Sequence, residues 1–145
     1  MRPPKSVIRA MGRAQAAIYR ASGGRLLTRF GRVEVLLLTT TGRRSGARRT
    51  APLLYIRDGD AYVVVGSQGG HDTHPAWVLN LRADPQATVQ IGARVIPVTA
   101  EDAPDADRDR LWERLVATYP SYAEYRERTA RRFPIVLLQP DESPR

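Results

Sequence analysis

The segment Thr39-Thr40-Thr41-Gly42-Arg43-Arg44-Ser45-Gly46-Ala47-Arg48-Arg49-Thr50-Ala51-Pro52 holds four arginines, two glycines and several hydroxyls. Each guanidinium is permanently charged and presents a planar fork of donors that matches phosphate or carboxylate. Glycines let the backbone approach a ligand closely, and successive N–H groups in such a turn can form an anion nest. The chemistry that this composition suits is the holding of a phosphate or carboxylate group. A solvated basic loop between two strands has the same composition, and on charge alone that plainer reading is favoured. A Walker loop is excluded, because the chain has no GxxxxGK followed by Ser or Thr.

A second glycine-rich stretch, Gly66-Ser67-Gln68-Gly69-Gly70, follows an apolar run at Tyr62–Val65. Ser67 has a hydroxyl to offer a ligand carbonyl or ring; the plainer reading is a loop closing a hairpin. Trp77 and Asn80 stand three residues apart, on one face if the segment is helical. Trp77 is equally a core residue by type. Tyr119, Tyr122 and Tyr125 recur at intervals of three across a helix break. They suit either an aromatic rim over a flat ring or the packing of helix ends. His71, Asp72 and His74 are too few for a metal site with nothing nearby to complete it. No GxSxG elbow supports a serine hydrolase, and no cysteine supplies a thiolate, a disulfide or a zinc ligand.

The elements that must position these groups are mostly strands. Val33–Thr40 reads as a short apolar strand. Pro52–Arg57 and Ala61–Val65 flank Asp58-Gly59-Asp60, a hairpin signal, and Ala87–Ile91 and Arg94–Thr99 flank Gly92-Ala93, a second one. His74–Arg82 reads as a short helix with Pro75 near its first turn. Asp102–Thr118 reads as a helix capped by Asp102, with Pro104 in its first turn and Leu111 and Leu115 on one face. Pro120 ends it, and Ser121 with Glu124 forms a capping-box pattern that opens another helix. Ile135–Gln139 is a last strand. About six strands, mostly in hairpins, predict a mainly β domain with helices (α+β), closed into a barrel to avoid exposed edges. Neither βαβ alternation nor GxGxxG points to a Rossmann domain.

The length of 145 residues fits one domain. The net charge of +8 is uneven. Residues 1–32 carry eight basic side chains and no acid, whereas the remainder is formally neutral. Residues 6–21 read as a helix, with Val7, Met11, Ala14 and Ile18 on one face and Gly23-Gly24 as a stop. Such a segment packs on the domain or lies on an anionic membrane surface; an arginine-rich, acid-free start also resembles a transit peptide. No apolar run spans a bilayer and no signal-peptide core is visible. The expected organisation is a basic amphipathic segment at 1–32, a barrel domain at 33–140 and a tail at 141–145. A cytoplasmic location is expected, peripheral on the inner face of the membrane if the basic segment docks there.

Three segments together resemble the deazaflavin-dependent nitroreductase family of actinobacteria, a branch of the split β-barrel flavin and deazaflavin oxidoreductases. They are Thr39–Gly46, the run Asn80-Leu81-Arg82-Ala83-Asp84-Pro85, and Thr118-Tyr119-Pro120-Ser121-Tyr122. The resemblance spans about residues 30–140 and implies a split β-barrel that binds the polyanionic coenzyme F-420. It implies that Arg43, Arg44 and Arg49, with Ser45 among them, contact the coenzyme's phosphodiester and glutamate tail. Pro52, Gly66, Ser67, Gln68 and Gly69 would border the deazaflavin ring, and Trp77 with Tyr119, Tyr122 and Tyr125 the acceptor pocket. The activity implied is hydride transfer from reduced deazaflavin to a hydrophobic electron-poor acceptor, a quinone or nitro compound, with Ser67 or a tyrosine hydroxyl supplying a proton. Two positions depart from the pattern: Gln68, where relatives often carry Lys, and Leu54, where some carry Tyr. An FMN- or haem-binding split barrel is the alternative; FMN has one phosphate and no glutamate tail, for which the arginine cluster is over-provisioned. A nucleic-acid module is not expected, since the neutral body lacks a basic stripe with interleaved aromatics.

Overall fold

Two hairpins frame the computed structural model, which describes residues 29–30 and 33–141. β3 (Arg48–Asp58) turns into β4 (Ala61–Val65) at Gly59, and β5 (Gln86–Ile91) into β6 (Arg94–Asp102) at Gly92. Both glycines have a φ of 60°, and neither following residue has a positive φ. That is the requirement of a type II′ turn, whose twist matches its flanking strands.

β2 (Val33–Thr41) and β7 (Ile135–Pro140) complete the barrel. The order is β2-β3-β4-β7-β6-β5, all antiparallel, and β5 pairs back onto β2 through Leu37–Gln90, Leu38–Val89 and Thr39–Thr88. The six-stranded split barrel expected from the hairpin signals is therefore present. A two-residue strand, β1 (Arg29–Phe30), adds to the start of β2 and has no signal in the sequence. Among the described residues, β4 pairs with Ile56–Asp58 and the earlier part of β3 with β2, where Pro52 stands opposite Leu37.

Alternate side chains build two cores. Leu36, Leu38, Tyr62, Val64, Val89, Val98, Val136 and Leu138 fill the barrel, and Ala61, Val63, Val65, Ile135 and Leu137 face outward onto helices. Both faces of β4 and β7 are thus covered, which is why these strands read as unbroken apolar runs. Each fully buried Leu or Val contributes about 1.5–3 kcal/mol. Helix α1 (Ala76–Ala83) plugs the barrel with Trp77, Val78 and Leu81. Helices α2 (Asp105–Thr118) and α3 (Ser121–Glu127) cover the outer face through Leu111, Leu115 and Tyr122.

The helices form where the sequence places them, but their starts differ. Pro75, Pro104 and Pro120 are the N-cap residues, and none of the three helices has a side-chain cap. Asp102 is the last residue of β6, because its strand pairing with Val136 outcompetes a capping role. Ser121 is the first helical residue, so the expected capping box does not form. Arg48 and Arg49 belong to β3 rather than to the preceding loop. The helix expected at 6–21 and its glycine stop lie outside the described residues. Among the described residues, no helix is long and apolar enough to cross a membrane.

Candidate functional site

The arginine loop is a tight connection between β2 and β3. Gly42 N–H donates to the Ala47 carbonyl (2.7 Å), Gly46 N–H to the Gly42 carbonyl (2.8 Å), and Ala47 N–H to Ser45 Oγ (3.1 Å). A Cβ on Gly42 would stand 3.1 Å from the Ala47 carbonyl oxygen, so the turn closes on a residue without one. Arg43, Arg44, Ser45, Arg48 and Arg49 are exposed, and Arg48 Nη2 donates to Thr88 Oγ1 on β5 at 3.4 Å. The loop is anchored from the barrel side by a buried amide. Asn80 Oδ1 on α1 accepts from Arg43 N–H at 3.1 Å and from its guanidinium at 3.5 Å, and Asn80 Nδ2 donates to Thr40 Oγ1 at 3.1 Å. Asn80 and Thr40 are 3% and 0% exposed, so water does not compete for these bonds.

The same helix braces the second glycine loop. A Cβ on Gly66 would lie 2.8 Å from Val78 Cγ2, two residues before Asn80. From the opposite side Arg131 grips this loop. Its Nε donates to His71 O (2.9 Å), Nη1 to Gly66 O (2.8 Å) and Nη2 to Ser67 O (2.7 Å), and Nη1 meets His74 Nδ1 at 2.6 Å. Burial, then the charges of Arg131 and Arg82, hold the His74 pKa below its usual value, against the opposing pull of Asp102. A neutral His74 is the form that accepts from Arg131. Ser67 is buried and stands at the N-cap of the short turn Gln68–Gly70, where its hydroxyl makes no capping hydrogen bond.

Tyr119, Tyr122 and Tyr125 meet as a ring cluster, with centroids 5.0 to 6.3 Å apart. Tyr119 and Tyr125 join their hydroxyls at 3.3 Å. Tyr122 is buried and also packs on Trp112; burial raises its pKa well above the usual value. The Tyr125 pKa is pushed up to about 12, chiefly by burial and then by the hydrogen bond with Tyr119. Both phenols keep their protons at neutral pH. Tyr119 and Tyr122 border a shallow surface dimple, with no enclosed room for a water molecule, together with Leu54, Tyr55, Ile56, Leu115 and Thr118. Leu54 shares its β3 face with Pro52, which places the tyrosines beside the strand that the arginine loop enters. Gly70 joins the tyrosines to the Ser67 loop: a Cβ there would lie 2.7 Å from Tyr125 O.

Comparison with known proteins shows the family. The model of the F420H(2)-dependent quinone reductase family matches residues 10–140. The chain belongs to that family. It is 40% identical over 130 residues to the F420H(2)-dependent quinone reductase Rv1261c of Mycobacterium tuberculosis, covering 87% of each chain. A solved F420-H2 dependent reductase, FDR-A, is 38% identical and superposes with a TM-score of 0.66 over 72% of this chain and 93% of its own. The heme storage protein HutZ of Vibrio cholerae shares the fold at 15% identity, with a TM-score of 0.57 over 75% of this chain and 82% of its own. That likeness shows the fold alone, and the family membership favours F-420 over the FMN or haem alternative. The protein is an oxidoreductase that depends on reduced F-420.

Within this reductase the expected site residues divide by position. Arg43, Arg44, Ser45 and Arg49 are brought into one exposed cationic cluster at the start of β3, and Pro52 follows on that strand. Gly66, Ser67, Gln68 and Gly69 form the loop after β4. Trp77 points into the barrel core, 8% exposed, rather than onto an open surface. Of two further residues at the site, Asn80 is expected from sequence only to share a helix face with Trp77 and to open the run at 80–85, and Arg131 carries no expectation. A lone amide within the otherwise apolar Val78–Leu81 was a usable signal for Asn80. Arg131 had none, being one arginine among several in 126–132.

Proposed function

We propose that the Arg43–Arg49 cluster holds the anionic tail of F-420, that Ser67 and the glycines beside it border the deazaflavin ring, and that Tyr119 and Tyr125 front a quinone. The donor chemistry fits the coenzyme: several exposed guanidinium groups suit several negative charges, and the Ser67 hydroxyl is not spent on capping the turn that follows it. One observation carries the reading. Asn80 and Val78 brace the arginine loop and the Ser67 loop from a single helix, so both are fixed in one frame.

Bound F-420 in its reduced form supplies a hydride from its C5 carbon. The chain's work is to bind, orient and protonate. Arg43 and Arg44 fix the anionic end, while Asn80 prevents the loop from moving when charge is neutralised. The Ser67 hydroxyl offers a hydrogen bond at the ring. Leu54 and the tyrosine faces give the acceptor an apolar wall. A quinone oxygen that gains negative charge needs a donor, and the Tyr125 hydroxyl keeps its proton up to about pH 12. Titrating the purified protein with oxidised F-420 should quench coenzyme fluorescence saturably, and F-420H2 should then reduce a soluble benzoquinone. Binding of FMN with no response to F-420 would overturn the assignment.

The basic segment at 1–32 is proposed to bring the site to an anionic membrane, where lipid-soluble quinones reside. Vesicles containing phosphatidylserine should bind the protein, with binding lost at high salt and in Arg9→Gln/Arg13→Gln/Arg20→Gln. Equal binding to neutral vesicles, or no binding to either, removes this role.

A further inference from the structure

We infer that Arg131 is a positioning residue for the coenzyme, setting the Gly66–His74 loop so that the Ser67 hydroxyl faces the bound ring; this rests on the F-420 reading of the site. A guanidinium has five N–H groups. Arg131 directs four of them at one loop, onto Gly66 O, Ser67 O, His71 O and His74 Nδ1. Those contacts straddle Gln68, which has a φ of 45° and is the one described non-glycine residue with a positive φ. Left-handed backbone costs an L residue roughly 1–2 kcal/mol, so it persists only where the surroundings over-determine it. Arg131 supplies that constraint on both sides, and Gln68 Nε2 adds bonds to Thr73 O (3.1 Å) and Thr73 Oγ1 (3.2 Å). Gln68 stands where the family pattern has a cation. Here its side chain is turned back onto its own loop instead of toward an anion.

The geometry separates two tasks. The exposed arginines of the first loop have charge available for a ligand. Arg131, by contrast, uses its donors on main-chain oxygens that a Lys, with three donors on one nitrogen, cannot all reach. Its effect on the coenzyme must therefore run through the residues that it holds, and of these Ser67 carries a hydroxyl that is not spent on capping the turn after it. Removing Arg131 lets the 66–71 backbone relax out of its strained turn and carries that hydroxyl away.

The test is a double-mutant cycle on the full chain, read by F-420 fluorescence titration, with Arg131→Lys, Ser67→Ala and the pair. Arg131→Lys should weaken F-420 binding roughly tenfold and raise KM for F-420H2 while leaving KM for the quinone unchanged. In the Ser67→Ala background the same substitution should weaken binding no more than about twofold, because the two act as one unit. Arg131→Gln should behave as Arg131→Lys does; if it fails to fold, the lysine variant still decides. An equal loss in both backgrounds means a general structural role and overturns the inference, as does unchanged binding by folded Arg131→Lys. Wild-type protein that ignores F-420 brings down the site assignment itself, a separate result from wild-type binding with an inert Arg131.

Discussion

Arg43→Ala should weaken F-420 binding by about 1–3 kcal/mol, and Arg44→Ala by a similar amount. Arg43 is tied to Asn80 through its backbone N–H as well as its side chain. Truncating the side chain leaves the backbone tether, so the loop keeps its course and the loss reports charge rather than collapse. The affinity of the unmodified protein should fall with added salt, and the variants should show a shallower dependence, since exposed ion pairs are screened. Arg94, exposed at the far hairpin, is the control: Arg94→Ala should bind the coenzyme as the unmodified protein does. Fluorescence titration at two ionic strengths reads all three. Should Arg43→Ala and Arg44→Ala bind as tightly as Arg94→Ala, the cluster is a solvated loop and the coenzyme lies elsewhere.

The largest stability effect is expected at Gly70. Its φ is +79°, and an added Cβ would stand 2.7 Å from the Tyr125 carbonyl oxygen and 3.1 Å from Tyr125 Cα. Those neighbours are backbone atoms of α3, which cannot swing away as a side chain would. Gly70→Ala therefore combines backbone strain with a steric overlap that parts the Ser67 loop from the tyrosine helix. Together these should cost about 2–4 kcal/mol, seen as a lower urea midpoint at unchanged slope. Gly59 has a similar φ of +60° with nothing within 4 Å of its added Cβ. Gly59→Ala should thus cost only the strain, about 1–2 kcal/mol. Equal midpoints for the two variants would show that the loop–helix approach is slack. A folded Gly70→Ala protein should also bind F-420 less tightly, because the displaced loop carries Ser67.

Much of this protein is written locally. Short apolar runs and glycines at hairpin turns dictate the strands, and Gly42, Arg43, Arg44 and Gly46 mark a tight cationic turn between two of them. These are legible because each depends on residues within a few positions of one another. The capping residues were less so: Asp102 and Ser121 have the right chemistry for caps, but strand pairing and the preceding proline determine where the helices begin. The sequence also could not divide the tyrosines. Only their packing makes Tyr122 a buried wedge against Trp112 and leaves the Tyr119 and Tyr125 hydroxyls to each other.

What tertiary structure alone decided is how the loops are held. Asn80 reaches Arg43 and Thr40 across 37 and 40 residues, and Arg131 reaches the Ser67 loop across 57 to 65. A residue's type states which bonds it is able to make, whereas the partner at that distance is chosen by how the barrel closes and which helix plugs it. The cationic loop is accordingly a property of the sequence. How it and the Ser67 loop are held is a property of the closed barrel, because only there do the buried Asn80 amide and the half-buried Arg131 guanidinium meet main-chain partners far away in the chain.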